Sequence, residues 1–256
     1  MGILTEKQIN RAIKRKSLDG ISLFFYGETD STNARAKEFA SSGEWHGERA
    51  VFIAAKQNAG RGRLGRSFHS PGTGLYLSFL YKPECEFNAA KITANAAVIT
   101  ARAIDSLTGA KTELKWVNDV YLGKKKLAGI LTEGRISDSG FEYAIIGIGI
   151  NVKKTDFPDE VKKIATDIET ETKKRISIAK LAAEILHGLT LNINDTLIDE
   201  YRSRSFLIGK ELTVIKQSTS YTATAIAIDD SAKLVVKLPN GETEALDSGE
   251  VSVRAQ

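Results

Sequence analysis

An arginine- and glycine-rich segment, GRGRLGR at residues 60–66, holds the residue types best suited to binding an anion. Glycine lets backbone N–H groups approach a ligand closely, and the guanidinium groups of Arg61, Arg63 and Arg66 offer paired donors to phosphate or carboxylate. The segment lies in a glycine-rich stretch, residues 56–74, between two predicted strands. Loops of this length are uncommon in compact domains and are usually functional or disordered. We therefore expect a loop that folds over an anionic ligand.

The same segment matches one phosphate-binding motif and nearly matches a second, but the residues that follow it exclude both. Gly60, Gly62 and Gly65 satisfy the G-x-G-x-x-G fingerprint of dinucleotide-binding domains, and the segment is one residue away from a P-loop. Both motifs require a helix to begin at the last glycine. Pro71 and Gly72 follow too closely for such a helix. The segment alone leaves three interpretations open: an anion-gripping loop, a solvated basic loop and a basic surface for nucleic acid.

Apolar patterns on both sides of this loop predict the elements that must hold it. Residues 51–55 and 75–81 are predicted strands, and residues 91–107 have the apolar spacing of a helix that should end at Gly109. A second helix is expected after Ser177, which can cap it. Three further runs, separated by turn sequences, predict an antiparallel meander: ELKWVNDVYL, KLAGILTEGRI and FEYAIIGIGINV.

The last fifty residues change in character, because short β runs separated by turn sequences replace the longer elements. This change predicts two domains, residues 1–207 and residues 208–256. From Ile208 onward the chain has five Lys and Arg against seven Asp and Glu, a net of −2, so the overall +4 leaves +6 for the first 207 residues. The larger domain is therefore the predicted anion binder.

Composition excludes several classes of protein. No apolar stretch reaches the ~18 residues of a membrane helix, and the charged N-terminus lacks the apolar core of a signal peptide. Cys85 is the single cysteine, which excludes an internal disulfide framework and fits a reducing compartment. We interpret it as structural. One cysteine and three scattered histidines offer no metal-ligand spacing. A cytoplasmic protein without a membrane anchor is expected.

Five motifs occur in order along residues 25–155, and as a set they closely resemble the catalytic domain of biotin protein ligases, also called biotin–[acetyl-CoA-carboxylase] ligases. They are ETDSTN, KQNAGRGRLGRSFHSP, LKWVNDVYL, KKLAGILTE and IGIGINV. The resemblance implies an α+β fold, in which a mixed or antiparallel sheet packs with helices in a class II synthetase-like catalytic domain, followed by a small C-terminal SH3-like β-barrel. It also implies an ATP-dependent, AMP-forming ligase that activates biotin to biotinyl-5′-AMP and transfers it to a lysine of a biotin carboxyl carrier protein.

The resemblance also implies roles for individual residues. Lys126 and Arg63 are the implied catalytic residues: Lys126 lies between the biotin carboxylate and the α-phosphate, and Arg63 retains the adenylate. Asp119 is implied to hold Mg²⁺ on the phosphates. Gly129 and Gly147 are implied to be small so that the backbone can pass close to biotin. The implied biotin contacts are Ser31, Thr32, Asn33, Gln57, Gly60, Arg61, Gly62, Arg63, Leu64, Lys126, Gly129 and Gly147. The implied ATP contacts are Arg63, Arg66, Phe68, Asn118, Asp119, Lys126 and Asn151.

Some of these residues keep an alternative reading. Phe68, where many family members carry Trp, either stacks on adenine or only packs the loop. Asn118 and Asn151 either contact the nucleotide or make hydrogen bonds at a turn or a strand end. The family's usual Trp-Pro-Asn-Asp reads Trp-Val-Asn-Asp at residues 116–119. Val117 is expected to keep an extended backbone there.

The implied substrates are ATP and biotin, the implied cofactor is Mg²⁺, and the implied partner is the carrier protein. Fewer than thirty residues precede ETDSTN, too few for the DNA-binding domain that many bacterial members carry. We therefore expect a monofunctional ligase that binds no specific DNA; a homodimer is left open. Two alternatives remain at this point, a lipoate–protein ligase of the same fold and a basic nucleic-acid-binding protein that uses the arginine loop.

Overall fold

The computed structural model describes residues 4–83, 88–137, 140–192, 196–216, 219–247 and 251–255. Cys85, which we interpreted as structural, lies outside these residues. The described chain forms one seven-stranded mixed sheet and one five-stranded antiparallel sheet, with helices packed on the larger one. The predicted α+β class is thereby confirmed. In this part of the chain, no helix combines the length and the apolar character needed to span a membrane.

The larger sheet is mixed because its first two strands are parallel and every later pair is antiparallel. Its strands lie in the order β1-β2-β3-β7-β6-β5-β4. They are β1 Ile21–Tyr26, β2 Arg49–Ala54, β3 Gly74–Tyr81, β4 Glu113–Lys115, β5 Asp119–Leu122, β6 Lys125–Ser137 and β7 Gly140–Asn151. The helices of the described residues are α1 Glu6–Arg15, α2 Thr32–Ser41, α3 Ala89–Thr108, α4 Asp159–Lys162, α5 Ile168–Thr172, α6 Ile178–Asn192 and α7 Ile198–Arg204.

Of the two long helices, α3 ends and α6 begins where their sequences predict. Asn88 accepts a hydrogen bond from the backbone N–H of Lys91 and caps α3, which stops at Gly109 with φ 71°. Glycine adopts this left-handed conformation without a steric penalty. Ser177 accepts from the backbone N–H of Lys180 at the start of α6. Both predicted helix boundaries are confirmed.

The two faces of the larger sheet are covered unequally, and this creates the cleft. Alternation along β3 sends Leu75, Leu77 and Phe79 into the main core, where α3 and α6 cover the sheet. On the opposite face Leu80 packs against α2 in a second, smaller core. Because α2 is only ten residues long, it covers only part of this face of the sheet. Ser78 and the strand residues beside it lie at the edge of the smaller core.

The segment predicted as the single strand ELKWVNDVYL is in fact two strands, and that prediction is wrong. A turn at residues 116–118 separates β4 from β5, and the Trp116–Val117 peptide is cis. Trp116 is buried and its indole N–H donates to the carbonyl of Ala232 at 2.9 Å, in the C-terminal part of the chain. Val117 therefore lies in a turn rather than in the extended backbone we expected. The tertiary contact of Trp116 is the physical reason.

The C-terminal residues form the five-stranded antiparallel sheet, in the order β11-β10-β9-β8-β12. Its strands are β8 Glu211–Lys216, β9 Thr219–Ile228, β10 Leu234–Lys237, β11 Thr243–Leu246 and β12 Val251–Ala255. The run ETEALDSGEVSV contributes to both β11 and β12. Arg202 on α7 ties this sheet to the rest of the protein by donating to the carbonyl of Ile228 at 2.7 Å. The division at residues 207 and 208 stays our proposal.

Candidate active site: a polar cleft on the open face of the sheet

A cleft of about 1220 Å³ lies on the face of the sheet that α2 leaves uncovered. All but two of the predicted site residues line it, although they come from the start of α2, the glycine-arginine loop and strands β5, β6 and β7. The two exceptions are Gly60 and Asn151. A cleft of this size with converging polar groups is the usual form of a small-molecule site.

One end of the cleft is formed by the first turn of α2. Ser31 is the N-cap residue, and Thr32 and Asn33 begin the helix; all three are buried. The backbone N–H of Thr32 donates to Oε1 of Gln57 at 2.8 Å. The Nε2 of Gln57 in turn donates to the hydroxyl of Ser70 at 3.1 Å. Hydrogen bonding therefore fixes the amide of Gln57, and it does so beside the predicted biotin pocket.

Two further polar residues hydrogen-bond to this end of the cleft from outside its lining, and sequence reasoning missed both. Ser78 on β3 is fully buried, and its Oγ lies 2.7 Å from the hydroxyl of Thr32 and 2.5 Å from Oδ1 of Asn33. Glu133 on β6 accepts from Nδ2 of Asn33 at 2.7 Å. The available signals were that Ser78 is the lone small polar residue in LYLSFLY and that Glu133 ends the motif KKLAGILTE.

Two glycines predicted to be small for biotin also make room for site side chains. A Cβ at Gly147 would collide with the amide of Asn33. A Cβ at Gly129 would lie 2.9 Å from Nζ of Lys126. Real Cβ contacts are almost never this close, so each glycine seats a polar side chain of the cleft. Their predicted approach to biotin stays a prediction.

A third glycine, Gly149 on β7, makes room for the aromatic ring of Phe68 in the loop. A Cβ there would lie 2.7 Å from Cε1 of Phe68. The Phe68 ring also meets Tyr76 edge to face, with ring centroids 6.4 Å apart. Phe68 thus packs the loop onto the sheet, which is one of its two predicted roles, and it lines the cleft as the other role requires.

Lys126 faces the cleft because of a β-bulge between β5 and β6. Leu127 is the extra residue, and bulges commonly re-aim a side chain. The bulge puts Lys126 on the same face as Gly129, three positions further along. Its Nζ lies 2.6 Å from Oδ1 of Asp119, with both side chains partly buried. Burial, and secondarily the carboxylate of Asp119, raises the pKa of the neighbouring Tyr121 to about 12.

The backbone of Lys126 is also held by hydrogen bonds to Ile164 and Thr166, which lie outside the strands of the sheet. Its N–H donates to the carbonyl of Ile164 at 2.9 Å, and its carbonyl accepts from the N–H of Thr166 at 3.0 Å. Asn151, which is buried, donates to the carbonyl of Thr166 at 3.0 Å. Of the two alternatives for Asn151, the structure shows the strand-end hydrogen bond, which supports the segment that holds Lys126.

The glycine-arginine loop folds into a small hairpin over the cleft. Arg61 and Ser67 form a β-bridge, and a short 3₁₀ turn lies at the tip. Leu64 at that tip has φ 54° and is more than half exposed. Gly60 lies behind the hairpin, where its carbonyl accepts from the N–H of Phe68 and a Cβ would lie 2.6 Å from the Phe68 carbonyl. Gly60 therefore shapes the loop from outside the cleft lining.

Arg63 is the arginine of this loop that turns into the cleft. Its Nη1 donates to Oδ1 of Asn118 at 3.3 Å, and Nδ2 of Asn118 donates to the carbonyl of Ile130 at 3.0 Å. Burial lowers the pKa of Arg63, while the carboxylate of Asp119 acts in the opposite direction. Arg66, by contrast, is exposed at the rim. Two partly buried cations, Arg63 and Lys126, thus lie near the carboxylate of Asp119 in the cleft.

The far end of the cleft is aromatic and basic, and nothing in the sequence indicated it. Tyr121 and Phe206 meet at 5.2 Å between ring centroids. Lys210 lies 4.8 Å from the centroid of Phe206, and Lys115 lies 5.9 Å from that of Tyr121. Phe206 and Lys210 come from the segment joining α7 to β8, so this segment contributes to the cleft.

Asp119 is the residue predicted to hold Mg²⁺. Among the residues that the structure describes, no group of three His, Cys, Asp or Glu side chains could hold a metal by itself. Mg²⁺ is commonly bound by one or two carboxylates together with substrate phosphates. The carboxylate of Asp119, which faces the centre of the cleft, fits a metal that arrives with a nucleotide.

These groups can bind a polar, uncharged ring at the α2 end and bring two anions together at the centre. Comparison with known protein families gives two matches. Residues 26–151 match the biotin/lipoate A/B protein ligase family, and residues 207–254 match the biotin protein ligase C-terminal domain.

Individual proteins match over most of the chain. The bifunctional ligase/repressor BirA of Bacillus subtilis is 31% identical over 251 residues, which is 94% of this chain and 76% of that protein. The biotin–[acetyl-CoA-carboxylase] ligase of Mycobacterium tuberculosis is 31% identical over 239 residues, covering 88% of this chain and 86% of that one. The solved biotin protein ligase of Aquifex aeolicus in complex with biotin and ATP matches with a TM-score of 0.79 and 27% identity, over 92% of this chain and 99% of that one.

Proposed function

The chain belongs to the biotin protein ligase family, and from that premise we propose which residues activate and transfer biotin and which protein accepts it. The enzyme is a ligase with ATP and biotin as its substrates. The M. tuberculosis relative is named a biotin–[acetyl-CoA-carboxylase] ligase and the A. aeolicus structure a biotin protein ligase, which favours biotin over the lipoate alternative. The proposal concerns the roles of residues, the metal and the acceptor.

Biotin binds with its ureido ring at the α2 end of the cleft. A ureido group has two N–H donors and one carbonyl acceptor, so it needs partners of both kinds. The hydroxyls of Ser31 and Thr32, the amides of Asn33 and Gln57 and the loop backbone at Gly62 supply them. These groups are prearranged by hydrogen bonds to one another. Binding therefore requires little further ordering of the protein.

Adenylation takes place at the centre of the cleft. A carboxylate oxygen of biotin attacks the α-phosphorus of ATP, and the bond to the β-phosphate oxygen breaks with release of pyrophosphate. Both reacting groups are anionic, and Lys126 offsets their repulsion as they meet. The ion pair with Asp119 holds Nζ in place before the substrates bind. A preorganised charge costs no rearrangement at the moment of reaction, so it stabilises the transition state effectively.

The glycine-arginine loop retains the product of this step. Biotinyl-5′-AMP is a mixed anhydride that water would hydrolyse. Arg63 binds its phosphate, and Arg61, Gly62 and Leu64 cover it, so that the site excludes water while the loop is closed. The positive φ of Leu64 presents this exposed apolar side chain at the mouth of the cleft.

The nucleotide lies between the loop and the sheet. Phe68 and Arg66 contact adenine and phosphate from the loop side, and Asn118 reaches it from the turn before β5. Asp119 would provide an oxygen ligand to Mg²⁺, which supplies positive charge to the phosphates when it is bound. Asn151 acts indirectly, because its amide holds the carbonyl of Thr166.

Transfer follows when the amine of an acceptor lysine attacks the acyl carbon and AMP leaves. The acceptor that we propose is the biotin carboxyl carrier domain of a biotin-dependent carboxylase. The name of the M. tuberculosis relative supports a carboxylase acceptor. A cytoplasmic location agrees with the single cysteine.

The observation that carries this proposal is the placement of Lys126. A bulge turns it toward Gly129, Asp119 holds it, and it lines the same cleft as the polar pocket and Arg63. The test is incubation of the protein with ATP, Mg²⁺, biotin and a carrier domain, followed by a streptavidin blot. Label should appear on the carrier and be absent when its acceptor lysine is replaced by arginine. An unlabelled wild-type carrier would overturn the proposed acceptor.

A further inference from the structure

Tyr201 on α7 is a fully buried polar side chain that neither lines the cleft nor takes part in the proposed reaction. Its hydroxyl donates to the carbonyl of Val117 at 3.0 Å, in the turn that separates β4 from β5. A carbonyl oxygen can only accept, so the phenol is the donor. Burial raises the pKa of Tyr201, while the charges of Asp119 and Arg63 act on it in opposite directions. The phenol therefore keeps the proton that this hydrogen bond needs.

The hydroxyl of Tyr201 is held in place because α7 is anchored to α3. Arg204, less than one turn further along α7, pairs with Asp105 of α3 at 2.7 Å and with Glu200 of α7 at 2.9 Å. Arg102 of α3 pairs with the same Glu200. The ring of Tyr201 is fully buried, so close packing leaves it no room to change its rotamer. A donor on such a rigid element can position the group to which it donates.

The hydrogen bond from Tyr201 fixes the backbone on one side of Asn118. The carbonyl of Val117 and the nitrogen of Asn118 belong to one peptide group, which is planar. Fixing the direction of that carbonyl therefore fixes the plane of the peptide that leads into Asn118. On the other side, the carbonyl of Asn118 accepts from the N–H of Ile130 at 2.8 Å. Both peptide groups that flank the Cα of Asn118 are thus held, one by α7 and one by β6.

The side chain of Asn118 connects this backbone with the glycine-arginine loop. Its Nδ2 donates to the carbonyl of Ile130 at 3.0 Å, which leaves its Oδ1 to accept elsewhere. Nη1 of Arg63 donates to that oxygen at 3.3 Å. A guanidinium has only donors, and Oδ1 is the one acceptor of the amide, so the pair has a single possible direction. Hydrogen bonds and one planar peptide therefore connect the buried phenol of Tyr201 with Arg63.

We propose that Tyr201 is a positioning residue for retention of the adenylate: it holds the peptide between Val117 and Asn118, and so aligns the amide that supports Arg63 in the cleft. The inference rests on the proposed function, because it takes Arg63 as the group that binds the phosphate of biotinyl-5′-AMP. Tyr201 itself does not touch the adenylate. The hydroxyl rather than the ring produces the effect, so Tyr201→Phe should keep the core packed and weaken retention.

The test measures the rate at which Tyr201→Phe releases biotinyl-5′-AMP. The protein is loaded with radiolabelled biotin, ATP and Mg²⁺, the excess is removed, and free adenylate is followed over time. Loss of one neutral hydrogen bond should speed release about 3- to 10-fold. The KM for biotin should stay near that of the wild type, because the hydrogen bonds at the α2 end do not involve Tyr201. Arg63→Gly removes the phosphate contact itself and should release the adenylate faster still.

Two comparisons separate positioning from general loss of stability. Thr108→Val is the matched control, because the Thr108 hydroxyl is also buried and donates to a carbonyl, that of Ile104 at 2.7 Å, outside the cleft lining. It should release the adenylate at the wild-type rate. In a double-mutant cycle, Asn118→Ala should speed release, and Tyr201→Phe should add nothing in that background. Replacing Tyr201 by 4-aminophenylalanine keeps a donor on a ring of similar shape and should restore retention.

A wild-type release rate in Tyr201→Phe would overturn the inference. Equal acceleration in Thr108→Val, or independent effects of Tyr201→Phe and Asn118→Ala, would also overturn it. Should Tyr201→Phe not fold, fast release in the aminophenylalanine variant or normal release in Asn118→Ala would overturn it instead. Failure of the proposed function is a different result. A folded wild-type protein that forms no biotinyl-5′-AMP would remove the proposed function and this inference together.

Discussion

Replacing Lys126 by alanine removes the cation that we place between the two reacting anions. In the wild type its Nζ is 2.6 Å from Asp119 and would be 2.9 Å from a Cβ at Gly129, so it occupies a defined position in the cleft. Lys126→Ala leaves a small empty space and a carboxylate without its partner. Lys124, exposed in the preceding turn at the rim of the same cleft, is the matched control.

The expected loss is large because the charge of Lys126 acts mainly in the transition state. Removing one preorganised donor of this kind typically lowers the rate about 10²–10³-fold. Biotin binding should change little, because the ureido partners at the α2 end remain intact. Binding energy that appears only in the transition state affects the rate rather than the affinity.

Single-turnover measurements separate the two half-reactions. The rate of biotinyl-5′-AMP formation from ATP and biotin should fall in Lys126→Ala, while transfer from supplied biotinyl-5′-AMP to the carrier should be nearly normal. Lys124→Ala should match the wild type in both. Normal adenylation by Lys126→Ala, or an equal loss in Lys124→Ala, would refute this reasoning.

Three further predictions follow from neighbouring groups. Arg63→Gly should release biotinyl-5′-AMP and label unrelated proteins on a streptavidin blot, because it loses a charge-assisted contact of roughly 1.5–3 kcal/mol; labelling confined to the carrier would contradict this. Gly149→Ala should lower the free energy of unfolding, measured by thermal denaturation, by about 1–3 kcal/mol, because its Cβ would overpack against Phe68. The same variant should have a raised KM for ATP. Phe68→Ala in that background should restore stability. Burial raises the pKa of Tyr121 to about 12 and also raises that of Tyr201. Since both side chains are neutral in the folded protein, the free energy of unfolding measured in urea should keep its full value below about pH 10 and fall toward pH 12. The fall should be shallower in Tyr201→Phe.

The resemblance carried by the five motifs was enough to predict half of the residues that line the cleft. Arg63, Asp119 and Lys126 belong to motifs whose letters are unusual, and the structure brings them together. The end of α3 and the start of α6 also followed from local signals, because a left-handed Gly109 and a cap at Ser177 depend on neighbouring residues only.

Features that depend on distant contacts could not be read from the letters. The parallel pair β1 and β2, joined through α2, was missed because α2 shows little alternation between apolar and polar faces. The turn at residues 116–118 depends on a carbonyl 116 residues away, that of Ala232. Glu133 and Asn33 are 100 residues apart in sequence, so only the fold reveals that they meet.

The central claim is that this cleft forms biotinyl-5′-AMP from biotin and ATP. Exchange of radiolabelled pyrophosphate into ATP tests it most directly, because the label enters ATP only when adenylation runs in reverse. With Mg²⁺ present, exchange should depend on added biotin, should be absent with lipoate, and should be strongly reduced in Lys126→Ala. Exchange that is absent with biotin, or that proceeds equally with lipoate, would contradict the account.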